Sequence, residues 1–259
     1  MNTIPTVDLS DFLSGDATRK NKFVGELGRA YQTVGFVAVQ NHGIDQQLVD
    51  DFYKSVEAFF SLPLDIKIKY EVPGLAGQRG YTSFGKEHAK NSQAADLKEF
   101  WQIGQTVEDG EPLTEHYPEN CSVDEMPQFN KLGYQLYRGF ENSGRELLRS
   151  LALFLNLDEN YFDGKIHNGN SILRAIYYPP ITHEPASAIR AEQHEDINLI
   201  TLLVGASADG LEVMDNNGNW VAVKTAPTEI VVNVGDMLQR LTNNVLRSTT
   251  HRVVNPPRE

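Results

Sequence analysis

The chain of 259 residues carries 23 Lys plus Arg against 35 Asp plus Glu, a formal net charge of −12. Such a balance repels polyphosphate and argues against broad basic contact with nucleic acid, and an anionic ligand would need a local positive pocket. Cys121 is the only cysteine, so no internal disulfide forms, as expected of a reducing, cytoplasmic protein; the start at Met1 lacks the n- and h-regions of a signal peptide, and no apolar run reaches membrane-span length.

This length sits near the upper limit of one hydrophobic core, so a single large β core with helical cover is expected. Ile4 to Leu9 reads as a short strand and Ser10 to Asp16 as a turn. Phe23, Leu27, Ala30, Tyr31 and Val34 recur at helical spacing, with Gly35 placed as a C-terminal cap. Phe36 to Val39 reads as a strand. Asp45 is a candidate N-cap for a second helix with Leu48, Phe52, Val56, Phe59 and Phe60 on its inner stripe. Ser61-Leu62-Pro63 ends that helix, and a short one follows to Tyr70.

From Val72 to Gly110 the regular pattern fades. Gly74, Gly77, Gly80, Gly85 and Gly104 punctuate a stretch that also holds Arg79, Tyr81, Phe84, Phe100 and Trp101. A long loop rich in aromatics is uncommon unless functional, which makes Arg79, Tyr81 and Phe100 candidates for substrate contact. The competing reading buries these aromatics between two layers. Pro127 can open the longest helix, whose core stripe runs from Phe129 through Leu132 and Leu151 to Leu155, with Gly139 and Gly144 weakening its middle.

After Asn170 the period changes to two. Candidate strands are Ile172–Tyr178, Leu199–Val204, Leu211–Met214, Trp220–Val223, Ile230–Val234, Leu238–Leu241 and Thr249–Val254, with a tight turn at Asn216-Asn217-Gly218. Several short strands separated by turns suggest a sandwich or barrel.

Gln193-His194-Glu195-Asp196 and the distant His251 carry the chemistry. On a strand, His194 and Asp196 point to one face, and Glu195 points away. If a sheet brings His251 alongside, two imidazoles and one carboxylate meet on one side of an ion. That set is the facial triad, which leaves open positions on Fe(II). Asn198, two residues past Asp196, is a candidate for the same pocket. Asn233 reads as a strand-end residue satisfied by backbone. His42 reads as structural, and His88, His116, His167 and His183 as surface or loop residues.

Ile4-Pro5-Thr6-Val7-Asp8-Leu9, Gly35-Phe36, Asn41-His42-Gly43-Ile44, Asp96-Leu97-Lys98-Glu99-Phe100, Tyr178-Pro179-Pro180, His194-Glu195-Asp196, Leu241-Thr242-Asn243-Asn244 and His251-Arg252-Val253 occur in that order. This set resembles the isopenicillin N synthase-like branch of the 2-oxoglutarate and Fe(II)-dependent oxygenases. The resemblance implies a mostly β fold with α: a double-stranded β-helix, or jelly roll, with N-terminal helices and a long bracing helix. It divides the chain at 1–110, an N-terminal portion packed on the core, and 111–259, the long helix plus the jelly roll. It makes His194, Asp196 and His251 ligands of Fe(II), and Tyr178 a hydrogen-bond donor to the co-substrate 2-oxoglutarate, with O2 as oxidant. The implied reaction oxidises, most simply hydroxylates, a small molecule and releases succinate and carbon dioxide. No nucleic-acid, membrane or protein partner is implied.

The family also carries an Arg-x-Ser shortly past the distal histidine, where Arg grips the far carboxylate of 2-oxoglutarate. The sequence stops at Glu259 with no such motif after His251. The expectation is a natural protein that continues further; the other reading is a metal-binding protein without that anchor. Two further functions stay open at this point. One is an oxidase of the same fold that uses Fe(II) and O2 without 2-oxoglutarate, and the other is a non-catalytic protein.

Overall fold

The computed structural model describes residues 4–86, 97–106, 117–180, 190–204 and 210–255. His88, Asp96, His116, His183 and the Pro256–Glu259 end lie outside them. In chain order the first elements are β1 (Thr6–Asp8), α1 (Leu9–Leu13), α2 (Ala17–Thr33), β2 (Phe36–Gln40), α3 (Gln46–Phe60) and α4 (Leu64–Lys67). A single 3-10 turn at Ile68–Tyr70 leads to β3 (Gly80–Thr82) and β4 (Glu99–Gly104). Next come the long α5 (Pro127–Phe154), α6 (Asp163–Ile166) and β5 (Ile172–Tyr177). The last third holds β6 (Ala191–His194), β7 (Ile200–Val204), β8 (Leu211–Met214), β9 (Trp220–Ala222), β10 (Ile230–Val234), α7 (Asp236–Leu241) and β11 (His251–Val253).

Two units interleave in sequence. The first is Met1–Gly43, Asn142–Gly164 and Ala191–Glu259; the second is Ile44–Glu141 and Lys165–Arg190. The first unit holds two four-stranded sheets, ordered β1-β2-β10-β7 and β6-β11-β8-β9. Only the β1–β2 pair in them is parallel. These are the paired sheets of the expected jelly roll. Ala38, Val231 and Leu203 form one cross-strand row, since Val231 faces both of the others. The row packs with Val213 and Leu211 of the second sheet and with Val223 just past β9 into an apolar core, as two sheets with alternating inward residues must.

Local chemistry explains the helices of this unit. Asp16 caps α2 by accepting from the amides of Thr18 and Arg19 at 2.7 and 3.0 Å, and Phe23, Leu27, Ala30 and Tyr31 are its buried stripe. Gly35 ends it as expected, at φ +76°, with its amide on the Ala30 carbonyl at 3.1 Å. The expected turn over Ser10–Asp16 is instead largely helix α1. Asp8 caps it through the Ser10 amide at 2.9 Å, and Leu9 and Phe12, three apart, are buried on one face.

The second unit is built around the sheet β3-β4-β5. Strands β3 and β4 fall where period two is invisible, because every residue of β4 is buried, Glu99 and Gln102 included. Asp45 caps α3 through the Gln47 amide at 2.9 Å, as expected; Val49 takes the buried place expected of Leu48, which is only half-buried. Phe59 meets Trp101 edge-on at 5.0 Å and stacks on Phe129 at 5.3 Å between ring centres. Tyr81, Phe100 and Trp101 are all buried, so the packing role of these aromatics is real. Lys67 and Glu99 form a buried ion pair at 2.9 Å, and the Tyr81 hydroxyl donates to the same carboxylate.

The helix α5 has 28 residues, about 42 Å at 1.5 Å per residue, and runs unbroken through Gly139 and Gly144. Among the described residues no helix is long and apolar enough to cross a membrane.

Candidate metal centre

The expected strand at Leu238–Leu241 is helix α7. Gly235 precedes it with extended backbone, Asp236 stands in its first turn and Arg240 in its last, an order that suits the helix dipole. Only Leu238 of its residues is buried, so the apolar spacing that suggested a strand had no sheet face to fill. The consequence for the site is direct. The Gly235 amide donates to the Leu199 carbonyl at 2.9 Å and the Asp236 amide to the Asp196 carbonyl at 2.8 Å. A Cβ on Gly235 would stand 2.3 Å from the Asn198 carbonyl oxygen. Only glycine lets the start of α7 close on the turn that carries Asp196.

His194 ends β6, and Asp196 lies just past it in that turn, so strand alternation alone does not aim the carboxylate. His251 opens β11, and its register partner across the antiparallel pair is His194. One donor atom from each of His194, Asp196 and His251 lies within 4.8 Å of the others. His194 Nε2 is 3.6 Å and His251 Nε2 3.7 Å from Asp196 Oδ1. A divalent ion that binds such donors at about 2.0–2.2 Å can reach all three.

The surroundings fix each donor. His194 Nδ1 meets the Glu192 carbonyl at 2.6 Å and His251 Nδ1 the Thr249 carbonyl at 3.1 Å. A backbone carbonyl there holds the proton on Nδ1 and leaves the Nε2 lone pair for a metal. Asp196 Oδ2 accepts from Thr201 Oγ1 at 2.5 Å and Asn233 Nδ2 at 2.9 Å, which leaves Oδ1 facing the imidazoles. Burial opposes ionisation of Asp196, but His251, Asn233, Thr201 and His194 outweigh it and hold its carboxyl below the usual range. Burial lowers the pKa of His251, against the pull of Asp196, so its neutral, ligating form is favoured. The exposure falls from 43% at the His194 side chain through 18% at Asp196 to 9% at His251, a basin open on one side.

Thr201 and Asn233 are register partners on β7 and β10, so they share one sheet face. Asn233 is not satisfied by backbone, as its position suggested; it is spent on Asp196. The detectable signal is one polar residue interrupting each apolar strand, Ile200-Thr201-Leu202 and Val232-Asn233-Val234. Asn198 does point inward, but its Nδ2 donates to Thr201 Oγ1 at 2.8 Å; it supports the carboxylate through Thr201. Glu195 accepts from Thr250 Oγ1 at 3.3 Å and stands outside the trio. His42 is buried, with Nε2 3.2 Å from the Thr228 carbonyl, and His167 is exposed.

The other candidates belong to the second unit. Tyr178 follows β5 and is half-buried, with the Arg190 guanidinium 5.1 Å from its ring centre. Tyr81 and Phe100 are core residues, and Arg79 is fully buried.

Residues 4–127 match the family model described as non-haem dioxygenase in morphine synthesis N-terminal, and residues 169–259 that of the 2OG-Fe(II) oxygenase superfamily. A proline hydroxylase from Petromyces alliaceus is 33% identical over 265 residues, which span 98% of this chain and 81% of the relative. A 2-oxoglutarate-dependent dioxygenase from Aspergillus rugulosus is 29% identical over 269 residues, 98% of this chain and 80% of the relative. Among solved structures, a 2OG-Fe(II) oxygenase family protein from Caulobacter crescentus matches with a TM-score of 0.88 and 40% identity over 99% of this chain and 82% of that one. A full-length Neurospora crassa protein, solved in complex with alpha-KG, matches with a TM-score of 0.87 and 31% identity over 99% and 80%.

Proposed function

The chain belongs to the 2-oxoglutarate- and Fe(II)-dependent oxygenase superfamily, and from that premise we propose that His194, Asp196 and His251 hold the Fe(II). The protein is an oxidoreductase that uses 2-oxoglutarate and O2. Bound Fe(II) supplies the coupling between oxidative decarboxylation of 2-oxoglutarate, which gives succinate and carbon dioxide, and oxidation of a C–H bond. What this chain contributes is placement. Two imidazoles and one carboxylate are donors suited to ferrous iron and leave adjacent positions open. The observation that carries the reading is the aim of both Nε2 atoms at one carboxylate oxygen whose twin is already bound by Thr201 and Asn233.

The names of the relatives favour the 2-oxoglutarate-dependent reaction over an oxidase that dispenses with it. Tyr178, in the Tyr-Pro-Pro motif, is proposed to donate a hydrogen bond to 2-oxoglutarate. The substrate is a small molecule: one relative is named a proline hydroxylase, and the Neurospora crassa protein is described with thymine. Hydroxylation is the proposed outcome. An N-terminal portion over 1–110 and a core over 111–259 remain the proposed division; the two family-model matches also separate an N-terminal from a C-terminal part, though at 127 and 169. A single cysteine and a ferrous centre fit a cytoplasmic setting.

The test is spectroscopic. Anaerobic Fe(II) with 2-oxoglutarate should give a visible charge-transfer band in the wild type and none in His251→Ala. A band that survives in the variant would place the iron elsewhere.

A further inference from the structure

Arg79 is a buried cation with half of its fork unused. It is 0% exposed. Its Nη1 donates to the Gln78 carbonyl at 2.8 Å, while Nε and Nη2 have no partner among the described residues. Those two N–H groups form one complete side of the guanidinium, the edge that matches the two oxygens of a carboxylate. The titratable groups that face it are Tyr137, Cys121 and Tyr117, none of them a carboxylic acid. Among the described residues, no acid balances the charge. A buried charge without a partner is costly, and a native structure that keeps one calls for an explanation such as an absent ion or ligand.

Space lies beside it. The guanidinium carbon stands 1.9 Å from where a Cβ on Gly104 would be, so the side chain lies flat against that glycine. Gly104 and Tyr137 both line a cavity of about 400 Å³, together with Thr106, Tyr134 and Arg138; Arg79 lies behind that wall and is not itself on the lining. That volume is in the range of small-molecule sites. Arg138 is mostly exposed and paired with Glu141 at 2.6 Å, which leaves Arg79 as the cation awaiting a partner. All of these residues belong to the second unit, and none is part of the iron trio.

We propose that this cavity binds a small carboxylic acid, with the carboxylate on the Nε–Nη2 edge of Arg79 and the apolar body between Tyr134 and Tyr137. Arg79 has no exposed surface, so entry requires the Tyr137 side of the wall to yield. The Tyr137 hydroxyl is tied to the Ser171 carbonyl at 3.2 Å, a single bond that can be exchanged. The site goes beyond the oxygenase reading and does not depend on it. It also answers the acidic balance of the chain, which demands a local cation wherever an anion is to bind.

Benzoate is the probe, and benzamide, its uncharged near-isostere, is the control. Titration calorimetry on the full chain should show benzoate binding, and benzamide should bind at least about tenfold more weakly, as befits loss of a charge-assisted pair. Arg79→Met should lose the preference for benzoate. His194→Ala should keep benzoate binding, because that variant damages only the iron trio. No benzoate binding at millimolar concentration, equal binding of the two probes, or loss of binding in His194→Ala would each overturn the assignment. If Arg79→Met does not fold, the comparison of the two probes on wild type decides the matter alone.

Discussion

His194 and His251 are register partners across β6 and β11, and their ring centres stand 4.4 Å apart. Their supports differ. His251 is buried, packs edge-on to Phe36 at 5.3 Å and sits opposite Val213 on its other side; His194 ends its strand and is far more open. Replacing either by Ala should weaken Fe(II) binding by more than the roughly 10–100-fold that loss of an outer-shell partner costs. Only His251→Ala should also destabilise the iron-free fold, by about 1–2 kcal/mol, since it alone opens a buried space. Urea denaturation without iron reads the second effect and anaerobic Fe(II) titration the first. Equal stability loss in both variants would contradict the packing asymmetry.

The Asp196 carboxylate is aimed by a pair and not by its own strand. Thr201 and Asn233 face each other across β7 and β10 and donate to the same oxygen, Oδ2. Thr201→Val or Asn233→Leu should each lower Fe(II) affinity by about 10–100-fold with the fold retained. Because the two donors share one acceptor, the double variant should fall short of the sum of the single effects. Full additivity in a double-mutant cycle would mean that they act on the metal by separate routes.

Much of this arrangement can be read before any coordinates exist, and the limits are physical. The strand Leu211–Met214 is legible because Glu212 alternates with Leu211 and Val213, and Ile230–Val234 because it is a short, largely β-branched run, all five residues buried. The His194, Asp196 and His251 trio is readable from the ordered motifs and β-rich runs around it, since a histidine two residues from an acid is by itself a common accident. Strand β6 is not readable: Ala191-Glu192-Gln193-His194 has weak strand propensity and is held by its pairing with β11. The polar members of β4 are equally opaque. Glu99 is inside only because Lys67, from a helix far away in sequence, meets it there, and tertiary pairing of that kind leaves no local period. Thr201 and Asn233 fall between these cases, visible as polar interruptions but not assignable to a partner.

Gly35 joins the start of the fold to the segment that carries His251. Its φ is +76°, and a Cβ there would stand 2.4 Å from the Arg247 carbonyl oxygen and 2.5 Å from Thr249 Oγ1. The Thr249 hydroxyl in turn donates to the Val34 carbonyl at 2.8 Å, and the Thr249 carbonyl faces His251 Nδ1. Gly35→Ala should therefore cost about 1–3 kcal/mol through backbone strain and displaced packing. It should also weaken Fe(II) binding, although residue 35 touches no ligand oxygen or nitrogen of the trio. Thermal unfolding with and without Fe(II) separates the two: a variant that loses stability but keeps the full metal-induced rise in Tm would show that Gly35 serves the fold alone.

The buried Lys67–Glu99 pair sets a different kind of test, because it lies in the second unit, away from any metal ligand in sequence. Lys67 Nζ reaches both Glu99 oxygens at 3.0 and 2.9 Å and also the Phe60 carbonyl at 3.0 Å, and the Tyr81 hydroxyl completes the shell. Every strong donor and acceptor in the cluster is therefore spent. Removing one charge strands the other, which costs about 3–5 kcal/mol for a buried pair. Lys67→Met should show that loss in chemical denaturation. Removing both charges with shape kept, as in Lys67→Met with Glu99→Gln, should recover a large part of it, since the desolvation cost of the pair disappears with the pair. A double variant no better than the worse single one would mean that the ion pair itself, and not the avoidance of a stranded charge, stabilises the β3-β4-β5 sheet.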